Sequence, residues 1–351
     1  MSTAEQKMIK AIYIWEKTSD EDIRLFRVLG TDGIVNVPRQ IDGRIVTELG
    51  VYCFSRRRLP QAVLFSTSLF MDGTEITEKI STDFQLLLEQ NSYLHELSEK
   101  YIQQVQLPAS LRKIGGCSFY NCSKMKELHI ASNLDEIGSD AFMNCLELTR
   151  IILHAHCNER TGLKQLLSQV KWQVEVLFAP EENEVEAAFL FPEYYESYDE
   201  IGPAHIFELN LTGEGFRARQ CFKDGVILGT AYDEIFPQAC VEEKPEVLNS
   251  MAWGRLLYEK DLVPRAKMQY EKYLKEHAAS FVQQLIRKKK LDELHYFFQK
   301  GYGTEMLMDE ALQLASSLQW TEAAVSLLTW KREIYTTKTN NVKSRYSFDD
   351  F

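Results

Sequence analysis

Three residues near the middle of the chain, His154, His156 and Cys157, are of types that bind metals or act as nucleophiles. A structural zinc site needs four converging ligands, which usually come from closely spaced cysteine pairs. Cys122 and Cys145 could add sulfur ligands, but a repeated sequence already explains both as small buried groups. A cysteine near a histidine can also catalyse acyl transfer, yet no known local signature surrounds these residues. We therefore predict no metal, no cofactor and no catalytic residue.

Two further stretches contain residues that serve other chemistries in other proteins. Residues 211–216, LTGEGF, lack the lysine and the following helix of a phosphate-binding loop. The acidic sequences EENEVE and YESYDE lack the glycine-punctuated spacing of an EF-hand calcium loop. We interpret these acids as a solvated segment, and we keep open an enzyme whose site lies unrecognised in residues 200–243.

The repeated sequence occurs twice between Val105 and Leu153, with an offset of 23 residues. The matched pairs are Leu111 and Leu134, Ile114 and Ile137, Gly115 and Gly138, Phe119 and Phe142, Asn121-Cys122 and Asn144-Cys145, and Leu128 and Ile151. A period in the twenties predicts stacked coils that each bury an apolar side against the next. We expect the phenylalanines to stack, the glycines to have positive φ, and KELHI and LTRII to form adjacent parallel strands.

The pattern of the repeat also resembles that of a known family. The order I-G-x-x-x-F-x-x-C, then L-x-x-I, stands in LRKIGGCSFYNCSKMKELHI and LDEIGSDAFMNCLELTRII, and it resembles the BspA-type leucine-rich repeat of bacterial proteins. A third, degenerate copy runs from Val37 to Phe54. The resemblance implies a short solenoid over roughly residues 20–178. Members of this family are mostly interaction proteins, several of them on bacterial surfaces, so a binding role is implied by analogy alone.

The composition limits the classes of partner and compartment. The 351 residues carry a formal charge of −11, which disfavours nonspecific binding to nucleic acid or anionic membranes. No apolar run approaches the about 20 residues of a transmembrane helix, and the first residues lack the apolar core of an export signal. Seven cysteines, an odd number, favour free thiols in a reducing compartment. We expect a cytoplasmic bacterial protein that binds neither nucleic acid, membrane nor metal.

The order of these segments predicts an α+β protein: a short leucine-rich-repeat β-solenoid, then a mixed connector and an α-helical, repeat-like domain. The solenoid covers residues 1–178, with an N-terminal hairpin cap built from 23–28 and 34–37. A helical insertion interrupts it at about 56–104, where residues 77–101 have helical spacing. Residues 179–243 form the acidic, aromatic connector with a small β region. Residues 244–336 form the helical domain and 337–351 a flexible tail.

Local signals mark the ends of the helices in this last domain. They are prolines at first helical positions, N-capping hydroxyls and a terminating glycine: Pro245, Pro264, Ser280, Thr304, Thr321 and Gly301. No period is clean enough to name a helical repeat. The basic run Arg287–Lys290 suits a helix end, with docking of the acidic connector and contact with RNA as alternatives.

The outward side chains of a repeat sheet suit recognition of another protein and offer no means of catalysis. We predict a non-enzymatic interaction scaffold that uses the solenoid strands and the helical module. The alternatives are a cell-surface adhesion or host-matrix-binding protein, and the enzyme mentioned above. The predicted partner-binding residues are Lys126, His129, Thr149 and Arg150. Four aromatic residues of the connector are predicted to dock the two halves of the chain together: Phe191, Tyr194, Tyr195 and Tyr198.

Overall fold

The structure is a computed structural model that describes residues 8–60, 62–80, 84–181, 184–201 and 205–336. The chain divides into two compact units, Met1–Ile235 and Phe236–Phe351. The helical unit therefore begins eight residues before the predicted start at residue 244, because a helix already spans Phe236–Glu242. The predicted flexible tail lies outside the described residues.

The first unit contains strands and short helices. Its strands are β1 (Ile9–Lys17), β2 (Ile23–Gly30), β3 (Ile34–Asn36), β4 (Gln40–Ile41), β5 (Arg44–Leu49), β6 (Phe65–Phe70), β7 (Glu75–Lys79), β8 (His95–Glu96), β9 (Gln104–Gln106), β10 (Lys113–Ile114), β11 (Glu127–Ala131), β12 (Glu136–Ile137), β13 (Arg150–His154), β14 (Val174–Phe178), β15 (Ala187–Phe191), β16 (Tyr195–Ile201), β17 (Ile206–Thr212), β18 (Phe222–Lys223) and β19 (Val226–Ile227). Its helices are α1 (Phe84–Gln90), α2 (Leu163–Leu167), α3 (Gly215–Ala218) and α4 (Gly229–Glu234).

Two sheets form the solenoid. In one, β12, β10, β5 and β2 lie side by side and run parallel. In the other, β14, β13, β11, β9 and β3 run parallel in that order. Leu128 on β11 lies opposite Val105 on β9 and Ile151 on β13, and all three are buried. These strands and the helical unit that follows confirm the predicted α+β solenoid and the parallel pairing of its two clear repeats.

Aromatic rings stack through the interior of successive coils. The rings of Phe119 and Phe142 are 5.1 Å apart, and Phe54 of the degenerate copy extends the stack at 5.0 Å from Phe119. The thiol of Cys122 donates to the Phe54 carbonyl at 3.3 Å, and that of Cys145 donates to the Phe119 carbonyl at 3.0 Å. The predicted stack is therefore confirmed, and the repeated cysteines are buried groups that join one coil to the previous one.

The expected role of the repeated glycines is wrong. Positive φ occurs instead at the pairs Cys117 and Asp140, and Asn121 and Asn144. Gly115 and Gly138 are required because the coils approach each other closely. A Cβ atom on Gly115 would lie 2.7 Å from the carbonyl carbon of Gly50, and only glycine avoids this overlap with the backbone.

The N-terminal cap also differs from the prediction. β2 pairs antiparallel with β1, whereas β3 joins the other sheet and pairs in parallel with β9. Residues 23–28 and 34–37 therefore do not form a hairpin with each other. The turn between them passes the chain from one solenoid sheet to the other, as in the coils that follow.

The insertion is mainly a β-hairpin, which corrects the predicted helix. β6 pairs with the free edge of β1, and β7 pairs with β6 across a turn where Gly73 has a φ of +83°. The Trp15 ring stacks on Phe65 at 4.8 Å, and its Nε1 donates to Thr67 at 2.9 Å. Pairing with β6 takes residues 77–79 out of the stretch with helical spacing, and α1 is the helix that forms within the rest of 77–101 in the described residues.

The solenoid closes one strand later than predicted. β15 pairs antiparallel with β14, and all five of its residues are buried. The run AAFLF therefore belongs to the sheet, although acids flank it in sequence. Beyond it, β16 and β17 pair as an antiparallel hairpin.

The second unit is helical. Its elements are α5 (Phe236–Glu242), α6 (Pro245–Leu257), α7 (Pro264–Glu276), α8 (Ala278–Arg287), α9 (Leu291–Gln299), α10 (Glu305–Ser317), α11 (Thr321–Lys331) and a π-helical turn (Arg332–Thr336). Pro245 and Pro264 begin helices, and the Thr304 hydroxyl accepts a hydrogen bond from the Leu307 N–H, all as predicted. Ser280 is not a cap, because α8 already begins at Ala278, and Thr321 is the first helical residue.

The helices α8 and α10 end in the same type of turn. Lys289 and Gln319 both have positive φ, and they stand 30 residues apart. The next N–H closes the same turn in each case: Lys290 N–H donates to the Leu285 carbonyl and Trp320 N–H to the Ala315 carbonyl. The α8–α9 and α10–α11 junctions therefore share one turn type, a helix-ending turn that the α9–α10 junction also has at Gly301.

Two buried acidic groups in the first unit predict a loss of stability in alkali. Burial raises the pKa of the Cys53 thiol to about 12 from 9.0, and burial with the Glu75 charge raises the pKa of the Tyr13 phenol to about 12 from 10.0. Both groups are neutral when protonated, so their stabilising effect is complete below pH 9 and is lost as the pH rises toward 12. The expected slope is about 1.4 kcal/mol per pH unit for each group.

Urea unfolding of the first unit between pH 7 and 11, followed by hydrogen exchange, measures this dependence. The Cys53→Ala variant should show a shallower decline above pH 9, because one of the titrating groups is gone. Equal slopes for the variant and the parent would contradict the assignment.

Candidate functional site

The outward side chains of β9, β11, β13 and β14 form a regular surface, here called the strand face. Strand pairing places Gln104, Glu127, Arg150 and Glu175 directly opposite one another in one row. A second row contains Gln106, His129, Ile152 and Leu177. Because adjacent strands are about 4.8 Å apart, each row presents side chains at a fixed short interval.

The first row alternates in charge. Arg150 lies between two carboxylates, with its Nη1 3.5 Å from Glu127 Oε2 and its Nε 3.3 Å from Glu175 Oε2. All three side chains are partly exposed, so each pair contributes little to stability. The two ion pairs instead hold the three side chains in place, so that the row presents negative, positive and negative charge in that order.

A line of hydrogen-bonding groups crosses the strand face next to this row. His129 Nε2 lies 2.8 Å from Glu127 Oε1, and His129 Nδ1 lies 3.2 Å from His154 Nε2. His154 Nδ1 lies 3.2 Å from the Ala179 carbonyl oxygen, and the two imidazole rings stack at 5.4 Å. Gln104 Nε2 also approaches His129 Nε2, at 3.1 Å. Both nitrogens of each ring therefore have neighbours within hydrogen-bonding distance, which fixes the rings in place.

The four predicted partner-binding residues fall into two groups. His129 and Arg150 lie on the strand face, where Glu127 contacts both of them. Lys126 and Thr149 are exposed and occupy equivalent positions directly before β11 and β13, where the Thr149 N–H donates to the Lys126 carbonyl at 3.1 Å. The structure therefore brings two of the four residues into one network and places the other two at the starts of the strands.

Glu127, Glu175 and Gln104 were not singled out from the sequence, although two signals point to them. Residues of a strand alternate between its two sides, so Glu127 shares a side with His129. The repeat offset of 23 then places Glu127 opposite Arg150. His154 was considered as a metal ligand, and its place beside His129 shows it to be part of the same line instead.

Charged pairs at the same offset also lie outside the strand face. Arg112 Nη1 is 3.3 Å from Asp135 Oδ2, and Lys113 Nζ is 2.8 Å from Glu136 Oε1. Each pair joins equivalent positions of two successive coils. These exposed cations provide a control for substitutions on the strand face.

The connector residues predicted to dock the two halves separate into buried and exposed rings. Phe191 packs against the rings of Phe222 and Tyr232, and Tyr194 packs edge-on against Phe216, all within the first unit. Tyr195 and Tyr198 lie exposed on the β16–β17 hairpin. Docking of the two units by these rings stays a prediction.

Residues 200–243 include a cysteine, Cys221, that an enzyme could use. Burial, together with the charges of Asp233, Glu234 and Glu214, raises the pKa of its thiol to about 11. A nucleophilic cysteine requires the opposite effect, a lowered pKa that favours the thiolate. This environment suits a structural thiol.

A polar cavity of about 820 Å³ lies elsewhere in the first unit, with Arg112, Asn133, Arg160, Lys164 and Asp224 in its lining. Its lining residues include neither a histidine nor a cysteine. In the described ranges, no cluster of three or more His, Cys, Asp or Glu residues is arranged to hold a metal ion. Each helix in those ranges is too short or too polar to span a bilayer.

The stacked coils, the parallel strands and the phenylalanine ladder define a leucine-rich-repeat solenoid. Residues 93–162 match the family model described as a BspA-type leucine-rich repeat region of six copies. This segment is therefore a BspA-type leucine-rich repeat region, which confirms the resemblance seen in the repeated sequence.

The crystal structure of a leucine-rich repeat protein of T. pallidum matches with 19% sequence identity and a TM-score of 0.20, over 46% of this chain and 76% of that chain. No curated protein matches the sequence.

Proposed function

We propose that this protein is a non-enzymatic scaffold that binds another protein through the strand face of its solenoid. BspA-type repeats support an interaction role in general. The observation that carries the specific proposal is the Glu127–Arg150–Glu175 row with the His129–His154 line beside it. These groups are held by their neighbours before any partner arrives, so little side-chain entropy is lost on binding.

The charge order of the row suggests the chemistry of the partner surface. A partner with cations facing Glu127 and Glu175 and a carboxylate facing Arg150 would match it at the strand spacing of about 4.8 Å. Ile152 and Leu177 of the second row add apolar contact area beside these charges. A mixed surface of this kind is typical of a specific, non-obligate protein interface.

Affinity capture from a native lysate, quantified by mass spectrometry, tests the proposal. The intact chain is compared with a variant that combines Lys126→Ala, His129→Ala and Arg150→Ala. We expect the variant to retain about one tenth or less of the enriched protein, because the central cation of the row and the imidazole are removed together. If the variant captured the enriched protein as efficiently as the parent chain, the strand face would not be the binding site.

The matched control is a variant with Arg112→Ala and Lys113→Ala. It removes two cations that form ion pairs between successive coils of the solenoid, outside the strand face. The control should capture the partner as the parent does, so a loss in both variants would point to a nonspecific effect of charge.

The helical unit is proposed as a second contact surface for the same function. It exposes apolar side chains on α10 and α11, namely Met306, Val325 and Leu328. A variant with Met306→Gln and Val325→Gln, assayed in the same capture experiment, should lose part of the enriched protein. Full retention by this variant would confine recognition to the first unit.

We further propose a bacterial cytoplasm as the compartment. None of the seven cysteines, all of which lie in the described residues, forms a disulfide, and Cys53, Cys122 and Cys145 are buried. Cell fractionation with alkylation of thiols before lysis measures this directly. Recovery on the cell surface, or a disulfide in the isolated protein, would support the adhesion alternative instead.

A further inference from the structure

The β16–β17 hairpin is not part of either solenoid sheet, and several of its side chains are exposed. Its strands pair with each other from Tyr195–Thr212 to Ile201–Ile206, and in the described residues neither pairs with a further strand. The tip, residues 202–204, lies outside the described residues. A two-stranded hairpin alone in water is only marginally stable, so a hairpin of this length gains stability when something packs against it.

One side of the hairpin carries an apolar patch, and Glu196 and Glu200 flank it on the same side of β16. Tyr198 lies directly opposite Leu209, and Leu211 lies two residues further along the same side. These side chains are 65%, 47% and 40% exposed respectively. Side chains of this type at adjoining positions form a patch typical of an interaction site rather than isolated surface apolar residues.

The surroundings of this patch are acidic. Residues 180–216 contain ten Asp and Glu residues and no Lys or Arg. Four of these acids lie on the two strands of the hairpin, namely Glu196, Asp199, Glu200 and Glu208. Glu196 is bonded to Lys171 at 2.6 Å, which ties the base of the hairpin to the solenoid.

We propose that the β16–β17 hairpin is a docking arm for an extended segment of another protein in which basic and apolar residues alternate. Each hairpin strand has one edge free of strand partners in the described residues, so an incoming strand can add to it by backbone hydrogen bonds. Its apolar side chains then cover Tyr198, Leu209 and Leu211, while its cations, on the other side of the strand, meet Asp199 and Glu208, which lie opposite one another. This surface is distinct from the strand face.

The negative charge of the hairpin disfavours pairing with the hairpin of a second copy of this chain. Pairing two such hairpins would bring acidic strands together without a cation on either strand, and like charges opposite one another on paired strands are destabilising. A basic segment relieves this repulsion, and a neutral one does not.

Fluorescence anisotropy with three labelled synthetic peptides and the full chain tests the proposal. The first peptide alternates lysine with isoleucine, the second lysine with serine, and the third glutamate with isoleucine. We expect saturable binding of the first peptide, at least about tenfold tighter than of the other two. Equal binding of the three peptides, or binding of none, would overturn the proposal.

Two variants locate the binding on the hairpin. Tyr198→Thr with Leu209→Thr and Leu211→Thr removes the apolar patch but keeps residues that favour strands, and Asp199→Asn with Glu208→Gln removes the two carboxylates on the other side. Each should weaken the first peptide about tenfold or more, with unchanged thermal unfolding because these residues lie outside the core. Unchanged affinity in both variants would overturn the assignment. The proposal would also be overturned if the parent chain self-associated and the threonine variant did not. The hairpin would then bind a second copy of this chain.

The strand-face variant Lys126→Ala, His129→Ala, Arg150→Ala separates this inference from the proposed function. It should bind the first peptide as the parent does, whatever the outcome of affinity capture. Loss of peptide binding in this variant would place the peptide on the strand face and contradict the docking arm.

Discussion

Replacing Arg219 by methionine is expected to lower the free energy of unfolding of the first unit by about 4 kcal/mol. The guanidinium is buried and donates six hydrogen bonds to five backbone carbonyls: those of Leu167, Val170, Trp172, Pro192 and Gly215. These carbonyls belong to the end of α2, the residues after it, the end of β15 and the start of α3. One side chain therefore joins the segments that close the solenoid.

The electrostatic setting explains why the loss should be large. Burial lowers the pKa of Arg219 to about 10, which still leaves the side chain charged at neutral pH. The rings of Phe191 and Tyr194 lie within 5.8 and 5.1 Å of the guanidinium carbon and add cation–π attraction. Methionine fills much of the volume but leaves several buried carbonyls without their donor.

Urea unfolding followed by hydrogen exchange of peptides from the first unit measures the effect. Arg219→Lys is the matched control, since an ammonium can satisfy up to three of the carbonyls and should recover part of the stability. A loss below about 1 kcal/mol for Arg219→Met would show that the closing segments hold together without this residue.

The second large effect is expected from Gly138→Ala. A Cβ atom at this position would lie 2.7 Å from the Cα of Gly116 in the previous coil, and nearer still to its nitrogen. Both atoms are backbone, so the coils themselves must move apart. We expect a cost of about 3 kcal/mol, in the upper range for overpacking of a core.

Gly116→Ala, in the facing turn of the previous coil, provides the control. Its nearest neighbour would be the Ser139 carbonyl oxygen at 3.3 Å, a contact that a small shift relieves. The control should change the unfolding free energy by less than about 1 kcal/mol. Similar losses in the two variants would show that glycine is needed here for backbone freedom and not for the close approach of coils.

The repeat itself could be predicted from the sequence because each coil buries equivalent positions against the next. The matched pair Phe119 and Phe142 gave the stack, and the matched pair Leu128 and Ile151 gave the register of the parallel strands. Single-residue signals also succeeded where one local interaction decides the structure, as at the Thr304 cap.

Elements that depend on distant pairing could not be predicted in the same way. The run AAFLF looked like part of an acidic connector, because the decisive fact is its pairing with β14. The β6–β7 hairpin was taken for a helix for the same reason, since the free edge of β1 is not visible in the local sequence. The glycine roles were misjudged because the contact that requires glycine lies in the neighbouring coil.

The candidate site was predictable in part. Outward positions of β11 and β13 follow from alternation, and these gave His129 and Arg150. Their connection through Glu127 depends on which side chains of neighbouring strands meet, and the 23-residue offset would have shown it had it been applied to polar positions as well.

Site-specific photo-crosslinking tests the central claim, recognition by the strand face, most directly. A photoreactive amino acid replaces Gln106, an exposed residue of the strand face, or Lys113 of β10 in the other solenoid sheet. We predict that the captured partner crosslinks from position 106 and not from position 113. Crosslinking from position 113 alone, or equally from both, would contradict the strand face as the binding surface.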